Sequence, residues 1–126
     1  MTKSIPSEHA EQATLVQWFE RQYPQYGHLL VASMNGAYLA GNARQRAIQI
    51  NRAKQAGLRT GFPDLFLPVP SKQWHGLFIE MKRTKNSSTS KEQKQWISEL
   101  NTLGYVAVVC KGHRAAVEVI NEYLSS

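Results

Sequence analysis

A single cysteine, Cys110, stands in the 126-residue chain. It excludes an internal disulfide and any cysteine-rich zinc site. The four histidines (His9, His28, His75 and His113) are scattered, without the H-E-x-x-H or paired spacing that holds a metal. No apolar run approaches the roughly 20 residues of a membrane span; the longest strand-like run is 106–109. The opening residues 1–8 lack the apolar core of a signal peptide. The expectation is a soluble chain of the cytoplasm. Acid is scarce as well. Between Arg21 and Pro63 there is no carboxylate, yet Arg44, Arg46, Arg52, Lys54 and Arg59 fall there. A second basic group is Lys82, Arg83, Lys85, Lys91 and Lys94, and the net charge is +6. Two readings fit: a solvated basic surface, or a polyanion partner such as nucleic acid. Charge alone does not separate them.

What is present is enough for one core. The chain is 42% hydrophobic, with 3 Trp, 5 Tyr and 4 Phe, which excludes wholesale disorder. A helix is expected over 7–22, with Ser7 as N-cap, Leu15, Trp18 and Phe19 facing a core, and Tyr23-Pro24 as the stop. A strand follows at 29–34, then an Asn35-Gly36 turn. Residues 42–56 read as a helix capped by Gly57. Strands at 64–67 and 76–82 form a hairpin whose loop carries Trp74 and His75. A polar stretch at 83–89 leads to a helix over 90–103, a buried strand over 105–110 and a last helix over 113–124. The order α, β, α, β, β, α, β, α predicts an α/β fold, with a mixed central β-sheet flanked by helices.

The strand at 76–82 carries the chemistry. Alternation puts Phe78, Glu80 and Lys82 on one face and Leu77, Ile79 and Met81 on the other. A carboxylate amid apolar residues needs a partner. Either Lys82 pairs with it on the strand, or a divalent cation does. Asp64 opens the preceding strand after Gly61-Phe62-Pro63, so the hairpin can set Asp64 beside Glu80. Two such carboxylates repel unless a proton or a cation lies between them. Oxygen-only ligands select a hard ion such as Mg2+ or Mn2+. Lys82 can then orient a water or stabilise charge developing on phosphorus.

Pro63-Asp64, fifteen residues, then Glu80-x-Lys82 resembles the P-D…(D/E)-x-K nuclease motif. It is embedded in more: Gly57-x-x-x-Gly61-x-Pro63-Asp64-Leu65, Ile79-Glu80-Met81-Lys82, Ser90-x-x-Gln93, Gly104-Tyr105, Asn35-Gly36 and Ser7-Glu8-x-x-x-Gln12. Together they resemble the virus-type replication-repair nuclease (VRR-NUC) domain over about 7–124, nearly all of a single domain spanning 1–126. The resemblance implies a restriction-endonuclease-like core, and a stand-alone enzyme of the kind known from bacteria and bacteriophages.

The resemblance also assigns roles. Asp64 and Glu80 match the metal-ligand acids and Lys82 the catalytic lysine. The Met81 backbone carbonyl stands where a further metal ligand is supplied. Glu8 matches the helix-borne acid, with Glu11 as its rival. Gln93 matches the glutamine after the catalytic strand, though Ser90-Lys91-Glu92-Gln93 equally reads as a capping box. Arg44, Arg46, Arg52, Lys54, Arg59 and Lys85 are the candidate DNA contacts. The implied function is an Mg2+- or Mn2+-dependent, structure-selective DNA endonuclease like a Holliday-junction resolvase, with no nucleotide cofactor. One site cuts one strand, and two symmetric cuts resolve a four-way junction, so a homodimer is expected. Residues near Tyr38-Leu39 are candidates for its interface. The alternatives are a flap or nick nuclease, or a non-catalytic nucleic-acid-binding module.

Overall fold

The computed structural model describes residues 4–33 and 39–125. The Asn35-Gly36 turn and Tyr38 lie outside the described residues. Helix α1 (Glu8–Gln22) starts where Ser7 accepts from the Ala10 amide at 3.1 Å and stops at Tyr23, before Pro24. A 3-10 turn (Gly27–Leu29) follows, then strand β1 (Val31–Ala32), helix α2 (Ala43–Gln55), strands β2 (Leu65–Leu67) and β3 (Leu77–Lys82), helix α3 (Lys91–Thr102), strand β4 (Val106–Lys111) and helix α4 (His113–Leu124). The expected strand at 29–34 is thus shortened, because Leu29 is taken into the 3-10 turn.

The sheet runs β1-β2-β3-β4, antiparallel across the first three strands and parallel between β3 and β4. Helix α3 makes the crossover that a parallel pair needs. Every residue of β3 is buried, since helices cover both its faces. Leu77, Ile79 and Met81 join Leu15 and Phe19 of α1 and Ala116, Ile120 and Tyr123 of α4. On the other face Phe78 packs with Leu100 of α3 and Ala107, ringed by Phe62, Phe66, Trp96 and Tyr105. β4 is less buried than expected, as half-buried Val106, Val108 and Val109 attest. Asn101 of α3 clips that strand, accepting from the Ala107 amide and donating to its carbonyl.

Phe19 is fully buried, stacked on Tyr23 with ring centroids 5.3 Å apart. Phe19→Ala is expected to cost about 3–5 kcal/mol through lost burial and the cavity left behind. Urea unfolding measures it, and a loss under about 1 kcal/mol would place the core elsewhere.

Helix α2 differs from the other three. It carries a full capping box between Asn42 and Gln45 but buries no residue. Its isoleucines are two apart rather than three or four, so they cannot share a stripe, and Ile48 stays 48% exposed.

Candidate active site

The hairpin register sets the site. Leu65 faces Ile79, and one step further along the antiparallel pair Asp64 stands opposite Glu80, on the same face of the sheet. The Asp64 Oδ2 accepts from the Met81 amide at 2.7 Å, while the Asp64 carbonyl takes the Ser33 amide at 2.7 Å. The carboxylate is therefore held against β3 at the mouth of the sheet. Gly61 brings the chain there. Its φ is +85°, and a Cβ on it would lie 2.7 Å from the Glu92 carbonyl carbon of α3. Only glycine lets this loop lie so close to the helix that carries Gln93.

Gln93 has both of the roles its position allowed. Its Oε1 accepts from the Ser90 amide at 2.9 Å, closing the capping box, and from Lys82 Nζ at 3.0 Å. Its Nε2 donates to Glu80 Oε1. One amide thus bridges the two functional groups of β3. The Glu80–Lys82 ion pair that strand alternation allowed is not formed. Lys82 Nζ turns to Gln93 and to Glu8 Oε1, 3.9 Å away, because α3 and α1 converge on the end of β3.

Glu8 and Glu11 are separated by the structure. Glu8 stands exposed on the cleft beside Lys82. Glu11 points to the start of α4, where its Oε2 accepts from the His113 amide and lies 2.8 Å from His113 Nδ1.

Glu80 is 3% exposed, and its Oε2 has no hydrogen-bond partner. Burial, then the hydrogen bond and charge of Asp64, push its pKa up to about 9, against the opposing pull of Lys82. Two adjoining carboxylates with an orphaned oxygen fit a small divalent cation, which takes one or two carboxylates and fills its remaining positions with water and phosphate oxygens. Among the described residues no cluster of three or more His, Cys, Asp or Glu forms. The acids available are thus this pair, with Glu8 set apart at Lys82.

Glu8, Asp64, Glu80, Lys82 and Gln93 all line one cleft of about 570 Å³. Its opposite wall is apolar, built from Leu39, Ile50, Ala53, Leu58 and Phe62. That wall was not legible in the sequence, because it is assembled from scattered residues of α2 and the segments on either side of it. Leu39 lies half-buried in it. Trp74 packs on the core and His75 on Tyr105, and neither lines the cleft.

A family model for the VRR-NUC domain matches residues 6–114. The chain belongs to the VRR-NUC family. A solved structure described as a VRR_NUC domain protein superimposes with a TM-score of 0.78 at 28% identity, over 96% of this chain and 90% of that one. No curated protein matches the chain. VRR-NUC membership makes this a nuclease of the PD-(D/E)xK type with DNA as its substrate, and an α/β fold with a mixed sheet is the architecture observed.

The VRR-NUC cleft takes in one of the candidate DNA contacts, Lys54, at its rim. Arg44, Arg46 and Arg52 are exposed on α2, Arg59 just beyond it and Lys85 after β3. Arg46 is spent locally, donating to the Gly41 carbonyl.

Proposed function

We propose that the chain is a divalent-metal-dependent, structure-selective DNA endonuclease, and that it works on four-way junctions as a homodimer. The observation that carries the nuclease site is the Asp64–Glu80 pair with Lys82 bridged to it through Gln93. VRR-NUC nucleases generally depend on a divalent metal. Asp64, Glu80 and the Met81 carbonyl would hold an ion, Mg2+ or Mn2+ by their oxygen chemistry, which supplies Lewis acidity and a more acidic water. Water adds to phosphorus, one P–O bond to a sugar breaks, and a phosphate monoester and a hydroxyl are left. Lys82 holds its positive charge where the phosphoryl oxygens gain negative charge. Gln93 fixes the direction of that ammonium, and Glu8 supports it from α1. The single domain spanning the chain and the cytoplasmic setting belong to this same reading. No described helix is long and apolar enough to cross a membrane.

Homodimerisation is supported by the symmetry of junction resolution: two strands are cut, and one chain carries one such motif. A panel of labelled junction, flap, nicked and linear DNA, with Mg2+, Mn2+ or chelator, tests the proposal. Paired symmetric cuts in junctions and a dimer by light scattering are expected. Preference for flaps by a monomer would overturn the resolvase reading, and metal-independent binding without cutting would overturn the nuclease reading.

Helix α2 supports DNA engagement, since it holds four basic residues, no acid and no buried side chain. Neutralising Arg44, Arg52 or Lys54 is expected to lower the slope of log K against log salt by about 0.9 each. Arg46→Gln is expected to change it less, because that guanidinium already holds Gly41. Unchanged slopes throughout would move DNA to another face.

A further inference from the structure

Helix α4 lacks a cap of its own. Its N-cap is Gly112, which has no side chain to offer and adopts φ +85°. The missing acceptor comes from the other end of the chain. Glu11 Oε2 takes the His113 amide and lies against the imidazole, 102 residues away. The carboxylate is 4% exposed. Burial raises its pKa, but the His113 amide, ring and charge and then Arg114 outweigh that and leave it lowered. A negative group at a helix N-terminus is where the dipole favours it.

The same junction is tied to the catalytic strand. The Gly112 amide donates to the Lys82 carbonyl at 2.8 Å. Glu8 lies one turn before Glu11 on α1, and its 3.9 Å approach to Lys82 is too long to be a hydrogen bond. Glu8 is thus placed by its helix, not by a bond of its own. Among the described residues, Glu11 supplies the hydrogen bond from α1 to the residues that follow β4 and close the end of β3. A longer bond, Arg83 Nη2 to the Ile5 carbonyl at 3.3 Å, ties the segment ahead of α1.

We propose that Glu11 is a positioning residue of the nuclease site. By capping α4 across the molecule it fixes α1 against the end of β3 and holds Glu8 at Lys82. The proposal rests on the nuclease reading for its catalytic consequence, and on the Glu11–His113–Gly112–Lys82 chain of contacts for its placement.

Glu11→Ala is expected to lower kcat on the order of 10–10²-fold with KM little changed, as small misplacements do. Glu11→Gln keeps an acceptor for the His113 amide and is expected to recover most of the loss. In a Glu8→Ala background, Glu11→Ala is expected to add nothing. A purely structural role predicts additive losses and no rescue, and either result overturns the proposal. If Glu11→Ala does not fold, Glu11→Met, which keeps the length of the side chain but offers the His113 amide no oxygen, takes its place in the cycle with Glu8→Ala: a kcat loss that persists undiminished in the Glu8→Ala background overturns the proposal, and one that vanishes there supports it. A second readout needs neither metal nor cutting. The Lys82 13Cε resonance should shift alike in Glu8→Ala and in the folded Glu11 variant without an acceptor (Glu11→Ala or Glu11→Met), and stay near its wild-type position in Glu11→Gln. A signal that moves with Glu8→Ala alone overturns the proposal, even if the wild-type protein cuts no DNA and the nuclease reading has failed.

Discussion

Glu80→Gln and Asp64→Asn are expected to abolish DNA cleavage while DNA binding persists. Both carboxylates line the cleft from the β2–β3 hairpin, and their negative charge repels a phosphate instead of binding it. Losing one should lower the rate by at least the order of 10²–10³ that follows removal of a single charge-stabilising group. Binding should survive, because it rests on the basic residues of α2 and its flanks. Manganese binding by calorimetry gives the direct check: a Glu80→Gln protein that binds Mn2+ like wild type would remove Glu80 from the ligand set. A further consequence appears without metal. The unfolded Glu80 carboxyl titrates near 4.5 and the folded one at about 9, so between those values the folded state keeps a proton that the unfolded chain has lost. Stability of the metal-free protein should therefore be greatest below the unfolded value and fall as pH rises towards the folded one. Glu80→Gln should flatten that fall, since the amide carries no charge to bury. Added Mn2+ should flatten it too in wild type, by binding the ionised pair. Metal-free stability that rises across this range would contradict the placement of Glu80.

Local signals in the sequence made much of this site legible. Asp64 beside Glu80 follows from a hairpin with alternating strands, because pairing register and side-chain alternation are both properties of adjacent residues. The start of α4 at His113 and the capping boxes are equally local. The partner of Lys82 was not legible. Strand geometry offered Glu80, two residues away, but the angle at which α3 meets the sheet puts the Gln93 amide between them. Glu11 was not legible either, since its acceptor role depends on α4 starting at a glycine 101 positions later. The shortening of β1 has another cause. Leu29 and Leu30 look alike in a β-like run, but Leu30 is buried while Leu29 closes the 3-10 turn against the Tyr26 carbonyl. Helix α2 is a further case: its existence was readable over 42–56, but not that it buries no residue.

Lys82→Ala is expected to reduce kcat on the order of 10²–10³ while metal binding holds or tightens. Lys82 is 8% exposed, and burying a charged side chain this deeply costs stability unless neighbours answer it. Gln93 Oε1 and Glu8 supply part of that answer, and the charge in turn lowers the Glu80 pKa. Its removal leaves Gln93 still bound to Ser90 and Glu80, so the acids keep their support. A cation at the Asp64–Glu80 pair loses a neighbour of like sign, which is why affinity should not fall. Lys82→Arg should recover little, because a planar fork cannot take the place of a compact ammonium held on one carbonyl oxygen. Single-turnover cleavage with saturating enzyme separates the chemical step from binding. If Lys82→Ala cuts at near the wild-type rate, the ammonium serves only to hold Gln93 and Glu8 in place. If it loses Mn2+ instead, its function is to order the acids. A slow enzyme that still binds both metal and DNA leaves charge stabilisation at phosphorus as the role of Lys82.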